Sequence, residues 1–193
     1  MPPWEWALSS RCAGTERRLK GLVGLLRSVG FARQEPVARQ FLGSEHVDRV
    51  GGSLQRVDTA PHDFQLEPAL DELAEIVSGE TELLVINSPS NPTGAVYTEE
   101  ALEGVRDLAV EHDITVISDE IYDEITYGVE QTSLGALDGM EDRTITINGF
   151  SKAYSMTGWR LGYLCAPEDL VSQAGKLHSH SVSSAVNFVQ HAG

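Results

Sequence analysis

The sequence predicts an α/β fold, a mainly parallel sheet covered by helices. Three observations carry that expectation. From about Val50 onward, short apolar, β-branched runs recur and end on polar residues. Between them lie segments with apolar residues at helical spacing, and the junctions are rich in Pro, Gly, Ser and Asn. Strands buried on both faces read as continuous apolar runs, whereas an antiparallel sheet with one wet face alternates. The 193 residues are enough for one domain that buries most of its apolar surface.

Taken in order, "LQRVDT" (54–59) is expected to be a short strand, preceded by a turn at "GGS" (51–53). In "EPALDELAEIV" (67–77), Pro68 sits near a helix start, and Leu70, Leu73, Ile76 and Val77 follow at the spacing of a helix lying on a sheet. "LLVIN" (83–87) is a buried strand, and "SPSNPTG" (88–94) is a turn-rich loop. Thr98 then caps a helix with Glu99 and Glu100 in its first turn and Leu102, Val105, Leu108 and Ala109 on one face. "ITVISDE" (114–120) is a strand that ends in acid. "RTITING" (143–149) and "LGYLCA" (161–166) are further strands, and Pro167, Glu168 and Asp169 open a final helix. In such sheets ligands bind outside the carboxyl ends of the strands. Asn91, Asp119 and the "GFSK" segment (149–152) all fall at or after strand ends, where one ligand can be met by all of them.

The charge is unevenly distributed. Residues 1–50 hold eight Lys/Arg against five Asp/Glu, and residues 51–193 hold six against twenty-four, within a net charge of -15. So acidic a chain repels phosphate backbones and anionic lipid, which argues against nucleic acid and membranes as partners. The low lysine count of the second part also resembles proteins of salt-loving cells. Residues 1–50 form a separate, unassigned basic segment. "RRLKGLVGLLRSV" suits a basic helix and "EPVARQFLGSEHVDRV" has a faint helix-turn-helix character, neither matching a specific DNA-binding pattern. Cys12 and Cys165 fit neither a disulfide framework nor a zinc site, so both are expected reduced, in a cytoplasmic protein. His178 and His180, two residues apart on a helix, point away from each other and do not make a metal pair.

Lysine is scarce, with only Lys20, Lys152 and Lys176. One of them sits in "NGFSKAYSMTGWRLGY" (148–163), eight residues before Arg160. A lysine amine is nucleophilic only when deprotonated, and burial lowers its pKa from about 10.4 toward neutrality, which suits it to joining an aldehyde. Pyridoxal phosphate, an aldehyde cofactor, has three demanding groups, and each has a candidate partner. Asp119 can hold the ring nitrogen protonated, since an adjacent carboxylate favours the cation. Tyr122 and Asn91 can hydrogen-bond the phenolic oxygen. Arg160 can fork onto the phosphate, with the Ser151 hydroxyl as a further donor.

"NSPSNPTG", "ISDEIYDEITY" and "NGFSKAYSMTGWRLGY", in this order and at these separations, resemble the large domain of class I/II aminotransferases, pyridoxal-phosphate enzymes of fold type I. The likeness runs from about Val50 to Gly193. It implies Lys152 as the catalytic Schiff-base lysine and proton shuttle, Asp119 as partner of the ring nitrogen, and Asn91 and Tyr122 as partners of the phenolic oxygen. It implies Ser151 and Arg160 as phosphate ligands, amino acids and 2-oxo acids as substrates, and a homodimer where the family's remaining parts are present. Gly158 and Gly162 are expected to serve tight backbone packing.

The family also uses a glycine-containing turn for the phosphate, an aromatic residue stacked on the ring, and an arginine for the substrate carboxylate. Residues 1–50 show neither of the first two, and no arginine follows Arg160. The expectation is a partial large domain over residues 51–193, with residues 1–50 foreign to the fold. Three readings stay open: an aminotransferase, a lyase or decarboxylase using the same cofactor, and a non-catalytic remnant or regulatory module.

Overall fold

The computed structural model describes residues 53–181 and 183–193. The helical readings of residues 1–50, and Cys12, lie outside the described residues.

Four strands form one sheet in the order β1 (Leu83–Asn87), β2 (Thr115–Asp119), β3 (Thr144–Gly149), β4 (Gly162–Cys165). The first three are parallel and β4 runs antiparallel to β3. All four expected runs from "LLVIN" onward are therefore strands, and the sheet is mainly parallel. Leu84 pairs with Val116, and Val116 with Thr144, so these side chains share one face; Ile117 and Ile145 share the other.

Helix α1 (Leu70–Ile76) is entered through a 3-10 turn at Glu67–Ala69 with Pro68 at its start. Helix α2 (Glu99–Glu111) joins β1 to β2. The Thr98 side chain accepts a hydrogen bond from the Ala101 N–H at 3.1 Å, as its capping position predicts. The two helices cover one face, where Leu73, Leu102, Val105 and Ala109 pack with Ile86, Val116, Leu134 and Met140. Helix α3 (Glu168–Ser181) covers the other, its Leu170 packing with Ile145 and the half-buried Ile117, Ile147 and Ala166. A short α4 (Asn187–Ala192) follows, so the expected final helix is two helices.

One expectation fails. "LQRVDT" is not a strand, because it lies beside no partner in the sheet; only Val57 reaches the core, and the backbone runs without a ladder. The connection from β2 to β3, for which the sequence predicts no element, is not an α-helix. It is an irregular segment with one 3-10 turn, Leu134–Ala136, that presses the buried Leu134 onto the core.

Candidate active site

β1 and β2 end in register, Asn87 opposite Asp119, and Asp119 is in turn opposite Ile147 of β3. The loops after these strand ends carry Asn91, Tyr122 and Lys152, so the topology brings the candidates to one edge of the sheet, as the sequence suggested.

Alternation along β2, carried one residue past its end, sends Asp119 and Glu120 to opposite faces. Asp119 lies on the face of Ile117 and Ile145. Burial pushes its carboxyl above the ordinary range, opposed by the Ile121 N–H, which donates to Oδ1 at 3.3 Å. Glu120 turns to the other side and is 4% exposed. Its Oε1 accepts from the Ser118 hydroxyl at 2.8 Å, the Ser133 hydroxyl at 3.0 Å and the Leu134 N–H at 3.2 Å. The sequence reading did not single out Glu120. Its one available signal was that period-2 alternation turns the residue after Asp119 inward.

Asn87 was also missed. Its amide donates to the Asp119 carbonyl at 3.2 Å, and its Oδ1 accepts from the Asn91 N–H at 3.1 Å. One side chain thus ties the "SNPTG" loop to the end of β2. The Asn91 side chain itself is exposed.

Lys152 stands in the turn that follows β3, with Nζ 5.3 Å from the centroid of the Tyr122 ring. This distance suits a cation over a ring face. The side chain is exposed. Ser151 beside it is half-buried. Phe150 packs on Tyr154 and Tyr163, at centroid distances of 5.5 and 5.9 Å. Arg160 lies at the far end of the segment in the left-handed region, with φ 54°, and its Nη1 donates to the Thr157 carbonyl at 2.9 Å. No bond joins Arg160 or Ser151 to the Lys152 amine among the described residues.

Gly149 and Gly162 face each other where β3 and β4 meet. A Cβ on Gly149 would stand 2.9 Å from the Gly162 Cα and 3.0 Å from the Leu161 carbonyl oxygen; one on Gly162 would stand 3.1 Å from the Asn148 carbonyl oxygen. The expectation of tight packing is right for Gly162 and wrong for Gly158, where a Cβ would meet nothing within 4 Å. Gly158 lies in an exposed 3-10 turn, Thr157–Trp159, away from both strands.

The sequence matches the family described as aminotransferase class I and II over residues 49–192. The chain belongs to this family. Aromatic-amino-acid aminotransferase 2 of Thermococcus litoralis is 46% identical over 144 residues, 74% of this chain and 36% of that protein. Aspartate aminotransferase of Pyrococcus abyssi is 45% identical over 144 residues, with the same shares covered. Among solved structures, an aromatic aminotransferase from Pyrococcus horikoshii superposes with a TM-score of 0.73 at 38% identity, covering 91% of this chain and 48% of that one. Aspartate aminotransferase of Thermus thermophilus with maleate also gives 0.73, at 34% identity, covering 91% and 46%. The fold is therefore that of fold type I aminotransferases, whose cofactor is pyridoxal phosphate. The chain spans about a third of the length of the curated relatives it matches.

Among the described residues no helix is long and apolar enough to cross a membrane, and no group of three or more His, Cys, Asp or Glu is placed to hold a metal ion.

Proposed function

We propose that this chain carries cofactor-binding residues of a pyridoxal-phosphate-dependent aminotransferase, which moves an amino group between an amino acid and a 2-oxo acid. The observation that carries the reading is the meeting of Asp119, Tyr122 and Lys152 at the ends of β2 and β3, with the Lys152 amine over the Tyr122 ring.

The donor set fits the cofactor. Asp119 is partly desolvated and, among the described residues, its carboxyl accepts a backbone N–H, that of Ile121, so its carboxylate gains from a cationic ring N–H placed beside it. The Lys152 amine is open to an incoming aldehyde. Arg160 uses one N–H on its own turn, which leaves other guanidinium donors for a phosphate. When bound, pyridoxal phosphate supplies an aldehyde that joins an amine and a protonated ring that draws electrons from a carbon losing its proton.

The chain's own residues then have defined tasks. Asp119 would keep the ring nitrogen protonated. Tyr122 and Asn91 would hydrogen-bond the phenolic oxygen, and Ser151 and Arg160 would hold the phosphate. The Lys152 amine would take the proton from the amino acid's α-carbon onto Nζ as general base and give it back from Nζ, as general acid, to the carbon that becomes the cofactor's amine-bearing carbon. A cytoplasmic location and a homodimer go with this reading.

The test is to mix the purified chain with pyridoxal phosphate, reduce with borohydride and locate the added mass by peptide mapping, with Lys152→Ala as control. Label confined to Lys152 is the expected result. Absent or scattered label on the folded chain overturns the reading. Label at Lys152 without conversion of the cofactor to its amine form by any amino acid supports the non-catalytic module instead.

A further inference from the structure

The two halves of the candidate site sit on different strands, and something must set the distance between them. Tyr122 belongs to the turn after β2, and Lys152 to the turn after β3. Neither turn is held by sheet hydrogen bonds alone, yet the amine and the ring meet at 5.3 Å.

The first turn has a fixed root. The Glu120 N–H donates to the Ile147 carbonyl of β3 at 2.9 Å, and the Glu120 carbonyl accepts from the Asp123 N–H at 2.9 Å, closing the turn around Tyr122. The Glu120 carboxylate, with three donors on Oε1, pins that root from the opposite face. The turn also has a tip. Asp123 Oδ2 accepts from the Asn148 Nδ2 at 2.6 Å, and the Asn148 Oδ1 accepts from the Gly149 N–H at 2.7 Å. Asn148 is 8% exposed and lies four residues before Lys152. A short, charge-assisted bond therefore spans from the Tyr122 turn to the strand end that launches the Lys152 turn.

We propose that Asp123 and Asn148, with Glu120 as anchor, are positioning residues that hold the Tyr122 ring against the Lys152 amine. Among the described residues their side-chain bonds run to one another and to the backbone and hydroxyls around them, not to the Lys152 amine, and they fix the separation of the two turns. A pair of hydroxyl or apolar residues would pack there, but only a donor opposite an acceptor, with a second polar atom of residue 148, an oxygen, on the Gly149 N–H, locks both turns at once. The importance of this separation to catalysis rests on the proposed function, whereas the positioning itself does not.

The experiment separates the two. The chain has three lysines, so reductive methylation with 13C-formaldehyde gives three dimethyl-lysine signals at most, assigned with Lys152→Arg. In the cofactor-free chain the Lys152 signal is shifted upfield by the Tyr122 ring relative to the other two, and Tyr122→Leu abolishes that shift. Asn148→Asp places two carboxylates together and is expected to abolish it as well. The exchanged pair Asp123→Asn with Asn148→Asp restores donor and acceptor in reversed order and is expected to restore the shift. Asp123→Asn alone keeps an acceptor oxygen and retains the shift. Circular dichroism and melting confirm that each variant is folded.

An unchanged Lys152 signal in folded Asn148→Asp, or no recovery in the exchanged pair, overturns the positioning role. With cofactor, Asn148→Asp weakens pyridoxal phosphate binding roughly tenfold, the scale of coupling within one hydrogen-bonded network, and the exchanged pair recovers it. An intact signal pattern together with failed borohydride labelling would refute the proposed function and leave the positioning standing.

Discussion

Asp119 and Glu120 are adjacent acids with opposite physics. Burial raises the Asp119 pKa above its ordinary 3.8, so at intermediate pH the folded chain holds a proton that the unfolded chain has released. The stability contribution is then fully present below the ordinary value and is lost as pH rises through the folded one. Asp119→Asn removes that loss. Its urea midpoint is expected to exceed the parent's at pH 7, and the difference to vanish at about pH 3. The same variant is expected to bind pyridoxal phosphate about ten- to a hundredfold more weakly, the value of a hydrogen bond to a charged partner. Opposite signs for stability and binding are what a functional carboxylate gives; a capping acid would lose stability without touching the cofactor. Glu120 behaves the other way, because Glu120→Ala strands the buried Ser118 hydroxyl and Leu134 N–H and the half-buried Ser133 hydroxyl. That variant is expected to lose about 3 kcal/mol in denaturant unfolding, and Glu120→Gln, which keeps an acceptor oxygen, about 1 kcal/mol.

At the scale of elements, the close approach of β3 and β4 makes a sharp pair of predictions. Gly149→Ala drives a Cβ against the Gly162 backbone, where no flexible side chain can yield, and is expected to cost about 1–3 kcal/mol in unfolding. Gly158→Ala, with open space around it, is expected to change stability by less than about 0.5 kcal/mol. The two residues look equivalent in the sequence, since local spacing says nothing about what lies across a strand pair. The strands themselves were legible, because "LLVIN", "ITVIS", "TITIN" and "GYLC" each end where turn residues begin. "LQRVDT" was not legible as coil: Leu54 and Val57 hint at a strand, but a strand exists only beside a partner, and that is a tertiary fact. The strand-end positions of Asn91, Asp119, Tyr122 and Lys152 were legible because the motifs that carry them follow apolar runs. The Asn87, Asp123 and Asn148 bonds that hold those ends together were not, since polar residues beside turns are read as solvated.

For the whole molecule the acidic surplus sets the response to salt. Residues 51–193 carry twenty-four acids against six Lys/Arg, and folding draws those charges together. Two of the arginines are held in local pairs. Arg106 lies within 3.3 Å of Glu103 and 2.8 Å of Asp107, and Arg143 lies 3.0 Å from Asp113. Salt weakens both kinds of interaction, with a screening length of about 8 Å at physiological ionic strength and about 3 Å at 1 M. The sign of its effect reports which one dominates. Exposed pairs with carboxylates at 47%, 70% and 60% side-chain exposure contribute little to begin with. The long-range repulsion is the larger quantity, because every acid contributes to it. The melting temperature is therefore expected to rise between about 0.05 and 1 M NaCl, a salt chosen because sulfate or phosphate would strengthen apolar burial on their own account. Differential scanning calorimetry at both concentrations checks this. A falling melting temperature would mean that the Arg106 and Arg143 pairs outweigh the net charge, and Arg143→Gln would then abolish part of the salt dependence.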